Sequence, residues 1–120
     1  MELSAKLQMK PGQRLVQLGA ADDVPVLAAR EEEPAAAPGA GEVIVAFVRT
    51  RADLATSAAV TAIDAARSDR PAWIAYPKAG KLDTDLNRDV LREALAGHGV
   101  RPVRQIAVDD VWSAMRFRPA

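Results

Sequence analysis

The most constraining feature of this sequence is a continuous apolar run near its middle, residues 43–48, which is followed by Arg49 and Thr50. The six residues of the run include three valines and one isoleucine, and none of them is polar. A short, uninterrupted, β-branched run is typical of a strand that is buried on both faces of a parallel sheet. The sequence therefore predicts an α/β protein that is built around this strand.

Apolar periodicity places the other elements around this central strand. Further strands are predicted at residues 14–19, 72–76, 101–108 and 112–118, and a turn at 109–111 joins the last two. Helices are predicted within residues 20–30 and at residues 53–67 and 84–96, where apolar positions recur at helical spacing. The candidate helix caps, in chain order, are Asp22 or Asp23, Thr50 or Asp53, and Asp83 or Thr84.

This order of elements predicts a single α/β domain that covers residues 1–120. We expect three layers, with a mainly parallel sheet of about five strands that is closed by a C-terminal antiparallel hairpin strand. The chain has 120 residues, which is enough for one domain. Residues 31–41 contain three Glu, two Pro, two Gly and four Ala, and are expected to form a flexible surface loop.

The composition of the chain argues against several classes of binding partner. There are 16 basic and 16 acidic side chains, so the formal net charge is zero, whereas nucleic-acid binders usually carry a basic excess. The sequence has no Cys and one His, so no metal site is expected. No apolar run approaches the roughly 18 residues of a membrane span, and the first residues lack the apolar core of a signal peptide. We therefore expect a cytoplasmic protein without nucleic-acid or membrane partners.

Four segments of the chain together resemble a known family. They are residues 7–16, the stretch Ala-Trp-Ile-Ala-Tyr-Pro-Lys at 72–78, the stretch Thr-Asp-Leu-Asn-Arg-Asp at 84–89, and residues 101–119. The family consists of small bacterial proteins that are classed as a domain of unknown function, so the resemblance implies a fold and no activity. More distantly, the order of elements resembles a trimmed class I methyltransferase sheet, whose last strand returns antiparallel after a hairpin.

The methyltransferase resemblance also implies where a methyl donor would bind. Several glycines after the first strand let the backbone approach the donor in such enzymes, but residues 18–23 contain only Gly19. Glu31, Glu32 or Glu33 stands where an acidic residue would hold the donor's ribose. We therefore expect no cofactor and a noncatalytic binding or interaction module with a degenerate methyltransferase-like sheet. The alternative is a small-molecule binding protein for an anionic or nucleotide-like ligand, or a residual methyltransferase.

Candidate ligand residues follow the predicted strands, because ligands of open parallel sheets bind beyond the carboxyl ends of the strands. Lys78 and Lys81 precede the predicted helix start at Thr84, where free backbone N–H groups attract anions. A small anionic ligand is therefore expected at this edge, although the two lysines would also be ordinary as solvated side chains. No catalytic residue is assigned. The candidates are Arg49, Arg51, Tyr76, Lys78, Lys81, Thr84, Asp109 and Trp112.

The aromatic and basic residues of the last strands allow more than one interpretation. Trp73 lies inside an apolar strand and is expected in the core. Arg104 and Arg116 are expected to lie beside each other on the terminal hairpin, near Arg101 and Arg118. These arginines either attract an acidic partner or guard an edge strand against pairing with another chain. A homodimer through the hairpin edge is a further expectation.

Overall fold

A computed structural model describes residues 14–19, 42–82 and 84–120 of the chain. The predicted helix within residues 20–30 and the predicted loop at 31–41 lie outside this described part. A 3₁₀ helix, Arg51–Ala55, lies just before the first α-helix. In chain order, the strands and α-helices of the described residues are β1 Arg14–Leu18, β2 Glu42–Phe47, α1 Ser57–Arg67, β3 Ala72–Pro77, α2 Arg88–Ala96, β4 Val100–Ala107 and β5 Trp112–Pro119.

The five strands form one mixed sheet in the order β1-β2-β3-β5-β4. The β1–β2 and β2–β3 pairs are parallel, whereas β5 is antiparallel to both of its neighbours, β3 and β4. The prediction of a mainly parallel sheet is therefore wrong, although the single α/β domain and the C-terminal antiparallel hairpin are present. The reason is the position of β5, which inserts between β3 and β4 and so makes two of the four strand pairs antiparallel.

Both described helices pack on one face of this sheet. The crossovers from β2 to β3 and from β3 to β4 advance in the same direction, so one handedness of connection places both helices on one side. Ile63 of α1 and Leu95 of α2 share a single apolar cluster with Ile44, Ile74 and Phe117 of the sheet. Within the described residues, no helix is long and apolar enough to cross a membrane.

The opposite face of the sheet carries a second apolar cluster, which includes Val43, Val45, Trp73 and Trp112. The rings of Phe47 and Trp112 meet edge to face, with their centroids 5.1 Å apart. Trp73 is fully buried, as expected for a core residue. Residues 43–48 are all buried, which confirms that the central run forms a strand covered on both faces.

Both described α-helices begin later than their periodicity predicts. The predicted start of α1 at residue 53 is wrong, because the 3₁₀ helix intervenes and Thr56 is the cap, accepting a hydrogen bond from the Ala59 N–H at 3.4 Å. The predicted start of α2 at Thr84 is wrong as well. Asn87 is the cap there, and its Oδ1 accepts from the Val90 N–H at 2.9 Å. Four residues that were expected to be helical, 84–87, therefore form a connecting loop.

A comparison of two glycines tests how closely β1 approaches β2. Gly19 and Gly80 both have positive φ, +73° and +79°, but a Cβ on Gly19 would lie 2.6 Å from the Phe47 carbonyl oxygen. A Cβ on Gly80 would meet no atom within 4 Å. We expect Gly80→Ala to cost about 1 kcal/mol through its backbone conformation, and Gly19→Ala at least about 1 kcal/mol more through the clash. Urea denaturation of both variants measures the difference, and equal losses would contradict the close approach.

Candidate functional site

Three loops meet at the carboxyl edge of the parallel strands and are tied together by hydrogen bonds. The Thr84 hydroxyl donates to the Arg49 carbonyl oxygen, and the Arg51 backbone N–H donates to Asp85 Oδ1 at 2.9 Å. The Lys78 backbone N–H donates to the Val111 carbonyl oxygen at 2.7 Å. The loops after β2, β3 and β4 are therefore held along one rim, which is where the candidate residues were expected to gather.

Carboxylates shape two of these loops from within. Asp53 Oδ2 accepts from the Arg49 backbone N–H at 2.9 Å. Asp109 Oδ1 accepts from the backbone N–H groups of Val111 and Trp112, at 2.8 and 2.7 Å. Asp109, a predicted ligand residue, thus forms the hairpin turn. Its carboxylate fixes the geometry of this turn.

A groove of about 750 Å³ lies on the helical face of the sheet. It lies between the end of β3, the start of α2 and the edge strand β4. Two of the predicted ligand residues, Tyr76 and Lys78, line it. The other lining residues are Ala79, Asn87, Arg88, Asp89, Gln105, Ile106, Ala107 and Ser113. We call this site the α2 groove.

The remaining predicted ligand residues do not line the α2 groove. Arg49 and Trp112 line a smaller cavity of about 330 Å³ beside Gly19 and the start of α1. Trp112 is 1% exposed and belongs to the second apolar cluster. Lys81 is exposed, and Thr84 is a structural tie between two loops. The predicted set therefore divides between the α2 groove, this smaller cavity and the exposed loops of the rim.

Tyr76 is the most unusual polar residue of the α2 groove. It is 2% exposed, and its hydroxyl has no hydrogen-bond partner among the described residues. Ser113, which is 5% exposed, lies directly across from it on β5. Burial raises the pKa of the Tyr76 phenol, and the positive charge of Arg88 opposes this shift. The phenol therefore keeps its proton near pH 7, and this buried O–H donor belongs to a residue that lines the groove.

The N-terminus of α2 forms the opposite side of the groove. Asn87 satisfies the Val90 N–H, and the described residues provide no acceptor for the N–H groups of Arg88 and Asp89. Asp89 Oδ1 lies 3.8 Å from Arg88 Nε and 3.5 Å from Arg92 Nη2. These side chains are all more than half exposed, so the ion pairs are weak and leave the guanidinium groups adjustable.

Sequence reasoning missed Asn87, Arg88 and Ser113, although two of them carry a recognisable signal. Asn is among the preferred helix caps, and Asn87 precedes apolar positions at Val90 and Leu91. Ser113 is a hydroxyl residue in an otherwise apolar half-strand. Arg88 carries no such signal, because only the late start of α2 brings it to the groove.

Comparison with known proteins gives no relative from which the function of the site could be inferred. No protein-family model matches this chain, and no curated protein sequence or solved structure matches it either. Among residues 14–19, 42–82 and 84–120, no group of three or more His, Asp or Glu side chains is arranged to hold a metal ion. The interpretation below therefore depends on the shape, charge and hydrogen-bonding capacity of the α2 groove.

The Thr84 tie can be tested by removing its hydroxyl. Thr84→Val removes the hydroxyl that donates to the Arg49 carbonyl oxygen and accepts from the Leu86 N–H at 3.0 Å. We expect a loss of about 1–2 kcal/mol in the free energy of unfolding. Thr61→Val is the matched control, since the Thr61 hydroxyl bonds only within α1 on an exposed face, and it should change stability by less than about 0.5 kcal/mol. Equal effects in urea denaturation would contradict the role of Thr84.

Proposed function

We propose that this protein is a noncatalytic binding module whose α2 groove takes a small ligand with a phosphate or carboxylate group. The observation that carries this proposal is that Tyr76 lines the groove and has a buried hydroxyl without an acceptor among the described residues. A buried donor left without an acceptor costs about 1–3 kcal/mol. An anionic oxygen in the groove would supply the missing acceptor and recover this free energy.

The charges around the groove support an anion over a cation. Lys78 and Arg88 both line it, and Asp89 is the one acidic residue among the described lining residues. The two N–H groups at the start of α2 add partial positive charge, because a helix N-terminus favours anions. The Asp89 carboxylate is already shared between Arg88 and Arg92, so it offsets the positive charge only in part.

The size of the groove also fits a small molecule. Ligand sites of proteins commonly enclose about 300–1,000 Å³, and the groove measures about 750 Å³. Its walls combine apolar groups from Ala107 and Ala79 with a few polar groups that converge from β3, β5 and α2. This combination of an apolar wall and few placed polar groups is the usual basis of ligand orientation.

The close packing of Gly19, just after β1, supports the noncatalytic part of the proposal. A last strand that returns antiparallel after a hairpin agrees with the methyltransferase-like interpretation of the sheet. Gly19, however, is in close contact with the backbone of β2, since a Cβ there would lie 2.6 Å from the Phe47 oxygen. The glycine that such enzymes use to approach a methyl donor here serves strand packing.

We also propose that the fold has three layers and that the protein is cytoplasmic. Trp73 is fully buried on the sheet face opposite α1 and α2, which supports a third layer over that face.

Two lysines provide a matched test of the ligand site. Lys78 lines the groove and Lys81, three residues later, is exposed outside the lining set. We expect nucleotides, inorganic phosphate or small di- and tricarboxylates to raise the melting temperature saturably. Lys78→Ala should weaken that binding about three- to tenfold, and Lys81→Ala should leave it within about twofold. An equal loss in both variants would rule out the groove, and saturable stabilisation by a methyl donor alone would contradict the noncatalytic proposal.

Removal of the Tyr76 hydroxyl has two expected consequences of opposite sign. Tyr76→Phe should leave the stability of the ligand-free protein unchanged or raise it by up to about 1 kcal/mol, because a buried donor without an acceptor is removed. The same variant should bind the anion that stabilises the wild type about five- to tenfold more weakly, as measured by calorimetry. A ligand-free protein that loses more than about 1 kcal/mol would show that the hydroxyl already has an internal partner.

A further inference from the structure

Three lining residues of the α2 groove lie side by side on neighbouring strands. Tyr76 of β3 lies directly across from Ser113 of β5, and Ser113 lies directly across from Ala107 of β4. Directly opposed residues of paired strands share one face of a sheet, and Tyr76 belongs to the apolar cluster of the helical face. The row therefore faces the same side as α2. Its second and third side chains are small, which leaves room for a ligand over β5 and β4.

Gln105 places an amide group at the outer side of this groove. It lies directly across from Met115, which belongs to the cluster of the helical face, so the Gln105 side chain is directed to the same face as Tyr76. Gln105 is exposed and lines the groove, and its amide forms no hydrogen bond with the described residues. An amide offers both donors and an acceptor. It therefore suits a neutral hydroxyl group of a ligand, which also donates and accepts.

The Gln105 amide is distant from the groups that attract an anion. Tyr76 lies on β3 and Lys78 directly follows it, whereas Gln105 lies on β4, two strands away in the sheet. Neighbouring strands lie about 4.8 Å apart, so the backbones of β3 and β4 are roughly 10 Å apart. A free phosphate ion beside Lys78 does not span this distance. A ligand that contacts both ends carries its anionic group on an extended organic body.

The charges along the groove favour an uncharged group at the Gln105 end of this ligand. Burial raises the pKa of Tyr76 and the positive charge of Arg88 lowers it, which places Arg88 near the Tyr76 end. Arg104, the neighbour of Gln105, is not a lining residue, and its side chain is directed to the opposite face because side chains alternate along a strand. The lining residues therefore offer cations for one anionic group, at the Tyr76 end.

The polar lining residues also favour hydroxyl groups over an aromatic ring. Tyr76 is the one aromatic residue among the described lining residues, and it is 2% exposed, so it offers no open ring face for stacking. Ser113 adds a hydroxyl to the row, and Asn87 adds a second amide, whose Oδ1 accepts from the Val90 N–H. The amide N–H donors of Asn87 remain for a ligand oxygen.

We propose that the ligand of the α2 groove is a sugar phosphate or a sugar acid. Its single anionic group binds at the Tyr76 end, and its hydroxyl groups bind the Gln105 amide at the other end. This inference rests on the proposed ligand site and adds the class of ligand to it. Gln105 is then a specificity-determining residue, because its amide distinguishes a hydroxylated carbon chain from an alkyl chain of the same length.

The test compares two phosphate monoesters with equally long carbon chains, sorbitol 6-phosphate and n-hexyl phosphate. We expect calorimetry to show that the wild type binds the hydroxylated ester about five- to tenfold more tightly. Gln105→Met keeps the length of the side chain and removes its amide. It should weaken binding of sorbitol 6-phosphate about five- to tenfold and leave binding of n-hexyl phosphate within about twofold. The control Arg104→Met changes the neighbouring residue outside the groove and should leave the preference for the hydroxylated ester unchanged.

The outcomes separate this inference from the proposed ligand site on which it rests. Equal affinity of the wild type for the two esters, or an equal effect of Gln105→Met on both, would overturn the inference alone. Failure of both esters, gluconate and inorganic phosphate to bind would overturn the ligand site as well. A preference for gluconate over hexanoate that Gln105→Met abolishes would support the inference and identify the anionic group as a carboxylate.

Discussion

Burial of β2 and β3 on both faces is the constraint on which the rest of the structure depends. Val43, Val45 and Trp73 are removed from water on one face, and Ile44 and Ile74 on the other. Because apolar burial contributes about 25 cal/mol per Å², these two strands anchor α1 and α2 through the helical face. They also set the direction in which the chain leaves the sheet. The loops after β2 and β3 must therefore emerge at the same rim.

Polar side chains at this rim organise loops before they can serve a ligand. Asp53, Asp85 and Asp109 each accept backbone N–H groups, and Thr84 joins two loops through its hydroxyl. These bonds satisfy backbone donors and acceptors that the strand ends leave open. Tyr76, at the place where β3, β5 and α2 converge, has a buried hydroxyl without such a bond among the described residues. This difference distinguishes a structural rim from a candidate ligand groove.

The net charge of zero conceals an uneven distribution of charge over the described surface. The α2 groove carries a modest positive balance around one buried phenol, on the helical side of the sheet. At the other end of β5, Arg101 and Arg104 of β4 lie across from Arg118 and Arg116, and Asp69 pairs with Arg118. The net charge of the chain does not reveal either of these two basic regions.

The sequence by itself determined the existence and type of most elements, the buried central strand, the core position of Trp73 and the adjacency of Arg104 and Arg116. These follow from local periodicity and from hairpin geometry, which act over a few residues. Only the tertiary structure decided the insertion of β5 between β3 and β4, the common face of α1 and α2, and the start of α2 at Arg88. Thr84 was a predicted cap, but Thr84 and Asp85 instead bond to the backbone of Arg49 and Arg51. Such competition depends on residues more than 30 positions apart, so sequence pattern does not reveal it.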